Sequence, residues 1–342
     1  MPTWREMSGL AGSERRRQRA DFVRGVGWGD ADERLLAGDA SFRRYFRLQR
    51  RTERAVVMDA PPPNEDVRPF VRIGRHLTAL GLSAPEILAI DETNGFLLLE
   101  DLGDDTFTRV LAAGGDEACL YRRATDVLVA LYDAGDRALL PGLNVYLGET
   151  LIDAAMLLAE WYLPAAAGRP ATDEEMADYR SAWRACLANL PEMPSTLMLR
   201  DYHRDNLVWL PARPGVKACG LLDFQDAQEG HCAYDLASLL EDARRNVSPA
   251  VQDACIEHYL AETGLDRRDF ATGFALMAAQ RHARIIGLFI RLAQRDGKRD
   301  YLGYLPHVWR LFDGALNHEA LTPLRAWIDR LLPPSSRSIG AA

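Results

Sequence analysis

Long apolar runs are missing from this chain. No stretch approaches the roughly 18 residues a bilayer-spanning helix needs, so no membrane partner is expected. The opening MPTWREMSGLAGSERRRQRADF lacks the apolar core and small-residue cleavage site of a signal peptide. An excess of positive charge is missing as well: 41 Lys+Arg stand against 49 Asp+Glu, a net charge of −8. Non-specific nucleic-acid binding needs a basic footprint, so no nucleic-acid partner is expected. Cysteine is sparse and unpaired in pattern: Cys119, Cys186, Cys219, Cys232 and Cys255 are scattered, with no C-x-x-C. That reads as reduced thiols in a cytoplasmic protein rather than disulfides or a zinc site. Repeats are absent too. What remains is ordinary globular composition, 48% hydrophobic and 26% charged, over 342 residues. This length suits two core-bearing units, and a monomer or weak dimer is expected.

The first third reads as a sheet carrying one helix. SFRRYFRLQ (41–49), RAVVMDA (54–60), EILAID (86–91) and GFLLLED (95–101) have strand character, the last two joined by a turn at Glu92-Thr93-Asn94. After the break PPPN, Val67, Phe70, Val71, Leu77 and Leu80 recur at helical spacing. Beyond Gly103 helical periodicity dominates, near 116–134, 148–163, 173–190, 250–263, 268–294 and 319–332. Two apolar pieces, 206–210 and 218–224, interrupt it around a Pro/Gly turn. The expected fold class is α+β and two-lobed: a nucleotide-binding lobe over 1–102 built on a small antiparallel sheet, a mainly helical catalytic and acceptor-binding lobe over 103–332, and a mobile tail over 333–342.

The chemistry concentrates in LRDYHRDNLVWL (199–210) and GLLDFQDA (220–227). Phosphoryl transfer needs a carboxylate to orient the attacking hydroxyl and accept its proton, and oxygen ligands for Mg²⁺ bridging the phosphates. Asp201 and Asn206 have the D-x-x-x-x-N spacing that serves both needs, and Asp223 ends the second strand-like piece. Alone, D-x-x-x-x-N recurs by chance, and Asp201 could be a turn or cap residue. The conjunction with D-F-x and a two-lobed pattern is what points to a kinase.

The chain resembles the aminoglycoside-phosphotransferase-like (choline kinase-like) superfamily. Within it, DASFRRYFRL (39–48), VVMDAPPP (56–63), FLLLEDLG (96–103), LRDYHRDNL (199–207), the run 221–245 and the run 278–306 are similar to the anomeric amino-sugar kinases of bacterial cell-wall recycling. The resemblance covers about residues 33–330. It implies a protein-kinase-like fold, ATP and Mg²⁺ as cofactors, and transfer of phosphate to the anomeric hydroxyl of N-acetylmuramate or N-acetylglucosamine. By the same resemblance Asp201 matches the catalytic base, Asn206 and Asp223 the Mg²⁺ ligands, and Glu100 and Leu102 the positions whose backbone holds adenine. Gly38–Phe42, including Ser41 and Phe42, matches the phosphate-covering turn, although its single glycine also suits a plain hairpin. Asp235, in Tyr234-Asp235-Leu236-Ala237, matches the family's structural D-L-A at the start of a helix, where it would brace the catalytic loop through hydrogen bonds or cap its helix.

Two departures stand out. Leu199 occupies the place of a His two residues before the base, and Met58 occupies the third-strand slot of the phosphate-binding Lys. Arg43 or Arg44 and the metal are candidates to offset the phosphate charge. His203, Arg204 and Gln225 are candidate acceptor contacts, His203 equally a stabiliser of the loop fold; His231, a ligand or acid by position, reads more simply as a satisfied polar group. If two of Arg204, Arg244, Arg245, Arg281, Arg284 and Lys298 face the cleft, an anionic or neutral sugar is favoured over a polycation; Arg244, Arg245 and Lys298 also read as solvated surface charges. Other acceptors (an aminoglycoside, choline, homoserine) and an inactive nucleotide-binding regulator are the alternatives.

Overall fold

The computed structural model describes residues 4–38, 42–337 and 339. In chain order the elements begin with α1 (Trp4–Gly25), β1 (Asp32–Gly38), β2 (Arg44–Arg50), β3 (Glu53–Asp59), α2 (Arg68–Ala79), β4 (Ile87–Asp91), β5 (Phe96–Glu100) and α3 (Phe107–Ala112). Next come α4 (Glu117–Ala134), β6 (Val145–Tyr146), α5 (Glu149–Ala155), a π-helical turn (Leu158–Tyr162), α6 (Leu163–Ala167), α7 (Asp173–Leu187) and β7 (Ser195–Met198). The chain continues through β8 (Leu207–Trp209), β9 (Cys219–Leu221), β10 (Gln228–His231), α8 (Tyr234–Leu240), α9 (Pro249–Thr263), α10 (Arg267–Arg295), α11 (Leu305–Ala315) and α12 (Thr322–Leu331). Two compact units divide it: Met1–Val110 with Asn206–Asp226, and Leu111–Asp205 with Ala227–Ala342.

The first unit is an antiparallel sheet in the order β1-β2-β3-β5-β4. Strand alternation gives it two faces. Leu48, Ala55, Val57 and Leu98 form one, and Val23 of α1 packs on them with Phe22, Val26 and Trp28 beside it. On this same face lies Asp59, wholly buried, gathering Arg15 (2.7 Å), Arg19 (3.0 Å) and Arg44 (3.1 Å). The run ERRRQRADF thus looks like a solvated face in sequence, but Arg15 and Arg19 fold inward as counter-ions. Val56, Met58, Leu97 and Leu99 make the other face, all buried.

The β8–β9 hairpin belongs with this sheet rather than with the helices that flank it in sequence. Leu221 N–H donates to Ser83 O (2.8 Å) and Trp209 N–H to Asp105 O (2.7 Å). Ser83 Oγ donates to Lys217 O (2.8 Å), Arg213 reaches both Ser83 and Glu100, and Phe224 packs on Phe70 at 4.7 Å between centroids.

The second unit is built around α10, 29 residues long, whose N-cap Asp266 accepts the N–H groups of Arg268 and Asp269. Gly287 lets the backbone at Leu157 approach α10; a Cβ there would sit 2.1 Å from Leu157 C and O. α7 starts at a capping box of the T-x-x-E pattern, Thr172 with Glu175. A small sheet in the order β6-β10-β7 supports the segment that follows β7. Arg337, within the stretch expected as a tail, is tied to Asp313 (2.5 and 2.6 Å) and lies over the Trp309 ring, and Tyr162 Oη donates to its carbonyl (2.6 Å).

Candidate active site

In the second unit, Asp201 closes a γ-turn. Its N–H donates to the Leu199 carbonyl at 2.9 Å, and Arg200 between them has φ 70°. A non-glycine residue in that region costs on the order of 1–3 kcal/mol, so the surroundings must hold it there. Asp235, in the first turn of α8, does so: Oδ2 accepts the N–H of Leu199 (2.5 Å) and Oδ1 that of Arg200 (2.9 Å). Burial pushes the Asp235 carboxyl up to about 7, while these two donors pull it back. Leu199 itself is buried, so its backbone rather than a histidine side chain carries the local hydrogen bond.

His203 is buried two residues past Asp201. Burial pushes its imidazole below the usual range, against the opposing pull of Asp242 and Asp201. Arg204 is buried against the Tyr121 phenol. Two arginines on α10, Arg281 and Arg284, lie within the field of Asp201. Arg281 is 4% exposed and its Nη1 donates to Glu241 O (3.3 Å); burial lowers its pKa. Arg284 is only partly buried and lies within the field of Tyr234. Burial weakens its charge, but Tyr234, Tyr146 and Asp201 outweigh that and leave its pKa raised. Tyr146 and Tyr234 meet edge-on at 5.7 Å, Gln280 Nε2 donates to Tyr146 Oη (2.9 Å), and the Arg200 guanidinium lies 5.5 Å from the Tyr146 ring. Sequence reasoning did not single out Tyr146 or Gln280. The available signal was the polar group Gln280, Arg281, His282 and Arg284 inside the otherwise apolar middle of α10, residues 274–290.

His231 lies in the core, but it is satisfied at one ring nitrogen only, since its buried Nε2 has no hydrogen-bond partner among the described residues. It is 4% exposed, its Nδ1 accepts the Ala233 N–H (3.2 Å), and a Cβ on Gly273 of α10 would sit 2.6 Å from its Cε1. Burial lowers it to about 4.

In the first unit, Asn206 and Asp223 stand at the open end of the β8–β9 hairpin. Leu207 pairs with Leu221, and Leu222 N–H donates to Asn206 O (2.9 Å). Asp223 has φ 57°, and its Oδ1 accepts from Gln225 Nε2 (2.6 Å), so Gln225 serves the carboxylate. An amide oxygen and a carboxylate are hard donors, the set that holds Mg²⁺ jointly with phosphates, and they fit that ion. Met58 is 1% exposed, opposite Tyr45 on β2 and Leu97 on β5. Glu100 ends β5; its N–H donates to Glu86 O (2.8 Å) and its carboxylate pairs with Arg213. Leu102 lies just beyond, near Gly220. Phe42 is exposed and its N–H donates to Glu65 Oε1 (3.1 Å), whereas Ser41 lies outside the described residues.

Comparison with known proteins agrees with this chemistry. The model of the phosphotransferase enzyme family matches residues 32–271. An N-acetylmuramate/N-acetylglucosamine kinase of Caulobacter vibrioides is 37% identical over 95% of this chain and 99% of its own. One of Pseudomonas aeruginosa is 37% identical over 85% of this chain and 86% of its own. Among solved structures, a putative aminoglycoside phosphotransferase of Ralstonia eutropha superposes with TM-score 0.62 at 15% identity, covering 90% of this chain and 97% of that one. A thermostable aminoglycoside phosphotransferase mutant in ternary complex with ADP and hygromycin B gives 0.58 at 11% identity, covering 86% and 96%. The fold is therefore that of the aminoglycoside phosphotransferase-like and choline kinase-like enzymes, and the chain belongs to the phosphotransferase enzyme family.

Proposed function

We propose that this protein is a cytoplasmic, ATP-dependent kinase that phosphorylates the anomeric hydroxyl of N-acetylmuramate and N-acetylglucosamine. The observation that carries the chemistry is the strained turn ending in Asp201 and clamped by Asp235. A turn that costs free energy and is held by a buried carboxylate fixes the direction of the base in advance of substrate, as general-base catalysis requires. The anomeric oxygen attacks the γ-phosphorus, the bond from that phosphorus to the β–γ bridging oxygen breaks, and ADP leaves. The hydroxyl proton passes to the Asp201 carboxylate. Asn206 and Asp223 are the residues that would hold Mg²⁺, which when bound supplies positive charge to the phosphate oxygens. The Glu100 carbonyl and the Leu102 N–H are assigned to adenine. On the acceptor side, Arg281 and Arg284 bring positive charge near the base. That repels a polycation and suits a neutral or anionic sugar. The names of the relatives support the same substrates.

The test is ATP consumption with N-acetylmuramate, N-acetylglucosamine, kanamycin and choline, followed by ³¹P NMR of the product. Turnover is expected with the two sugars, giving a phosphorus signal coupled to the anomeric proton. Asp201→Asn should lower kcat at least about 100-fold, the scale of a lost general base, while ATP affinity stays within about threefold. Turnover with choline or kanamycin alone would overturn the acceptor assignment.

A further inference from the structure

ATP brings several negative charges, and a kinase-like sheet commonly meets them with a lysine on the third strand held by a glutamate of the next helix. Here the third strand offers Met58, which carries no charge. Four arginines lie in or directly before β2; Arg50 is at the far end, opposite Glu53 and ion-paired with it, and strand alternation sorts the other three as replacements for that lysine. Arg44 pairs in register with Asp59 and its Nη2 is 3.1 Å from Asp59 Oδ2, on the face covered by α1. Arg47 is on the Met58 face but is committed to Asp101 (2.7 Å) and Asp104 (2.6 Å). Arg43 directly precedes β2. Two residues before Tyr45, the partner of Met58, it falls on the Met58 face by alternation. Such a diagonal neighbour is roughly 7–8 Å away, within reach of an arginine side chain.

Arg43 is also held as the missing lysine would be. Its Nε lies 2.9 Å from Glu65 Oε2, with the two side chains 12% and 10% exposed. Glu65 sits in the turn leading into α2, and its other oxygen accepts the Phe42 N–H (3.1 Å). We propose that Arg43, positioned by Glu65, is the phosphate-binding cation of this kinase, its charge moved from the third strand to the diagonal position on the second. The proposal rests on the ATP-dependent reading above. A guanidinium binds phosphate oxygens through two parallel N–H groups, which a lysine cannot do.

The experiment measures binding of a non-hydrolysable ATP analogue with Mg²⁺ by calorimetry, and KM for ATP and for sugar, in wild type and variants. Arg43→Gln should weaken analogue binding at least about tenfold and raise KM for ATP alike, with KM for sugar changed less than about threefold. Arg44→Gln should bind within about twofold of wild type. Adding Met58→Lys to Arg43→Gln should recover a substantial part of the lost affinity, because the charge returns by the other strand. Circular dichroism and thermal melts establish that each variant is folded; if Arg43→Gln is not, Arg43→Lys substitutes, with a smaller expected loss. Analogue binding unchanged in a folded Arg43 variant overturns the proposal, as does the loss appearing in Arg44→Gln instead. A wild-type protein that binds no ATP analogue sinks the kinase reading itself, and this proposal with it.

Discussion

N-acetylmuramate and N-acetylglucosamine differ at one substituent, a lactyl ether whose carboxylate is charged at neutral pH. If Arg284 recognises that carboxylate, its loss must separate the two sugars. A hydrogen bond between charged groups is worth roughly 1.5–3 kcal/mol, or about ten- to a hundredfold in binding. Arg284→Met is expected to raise KM for N-acetylmuramate by at least about tenfold and that for N-acetylglucosamine by less than about threefold, measured in the same assay. Equal losses on both sugars would mean that Arg284 acts through Asp201 and not on the acceptor. At this scale the proposed base and Mg²⁺ ligands were legible, since Asp201, Asn206 and Asp223 are marked by spacing and by the strands around them. Asp235 was legible as either a brace of the loop or a cap of its helix, and only the structure shows the two N–H groups it holds. The pairing of Arg43 with Glu65 was not legible, because it depends on a strand register and a turn that no local pattern encodes.

Between elements, the contact of β10 with α10 makes stability depend on pH. His231 fills the space that Gly273 leaves open, and its folded pKa of about 4 lies below its unfolded value. For a group with a depressed pKa of this kind, the neutral form is the one the fold tolerates. Its contribution is complete above about pH 6.5 and is lost as pH falls toward 4, by about 2 kcal/mol at pH 5. His231→Asn keeps an acceptor for Ala233 N–H but does not titrate. Urea unfolding should therefore show wild type more stable than the variant at pH 7, with the gap closing by about 2 kcal/mol at pH 5. Parallel curves would mean that the imidazole is hydrated or protonated in the fold. Element legibility follows length. The helices at 117–134, 173–187 and 267–295 show enough turns for periodicity to register. β6, β7 and β10 span two to four residues, too few for any alternation to stand out. α1 escaped notice because its arginines look solvated until Asp59 is in place.

For the whole molecule, the division into units predicts which distant segments share stability. The 206–226 hairpin follows a helical stretch in sequence, and composition assigned it to the helical lobe. Its backbone hydrogen bonds to Ser83 and Asp105, and the Phe224–Phe70 contact, tie it to the sheet. Asp59 offers a way to loosen that sheet from its far face. Removing this buried carboxylate takes the ion-pair partner from Arg15 and leaves Arg19 with Glu33 (2.7 Å), side chains 13% and 6% exposed, beside a third guanidinium. Breaking a buried ion cluster by deleting one partner typically costs about 3–5 kcal/mol. In Asp59→Ala, hydrogen exchange by mass spectrometry should show β2, β3 and β5 losing protection together with β8 and β9. The amides of α10 should keep theirs, since its core is built within the other unit. If instead the hairpin stays protected with α10 while the sheet opens, then 206–226 is stabilised by the helices. The boundary near Gly103 that sequence suggested would then describe the cooperative units better than the division of the fold does.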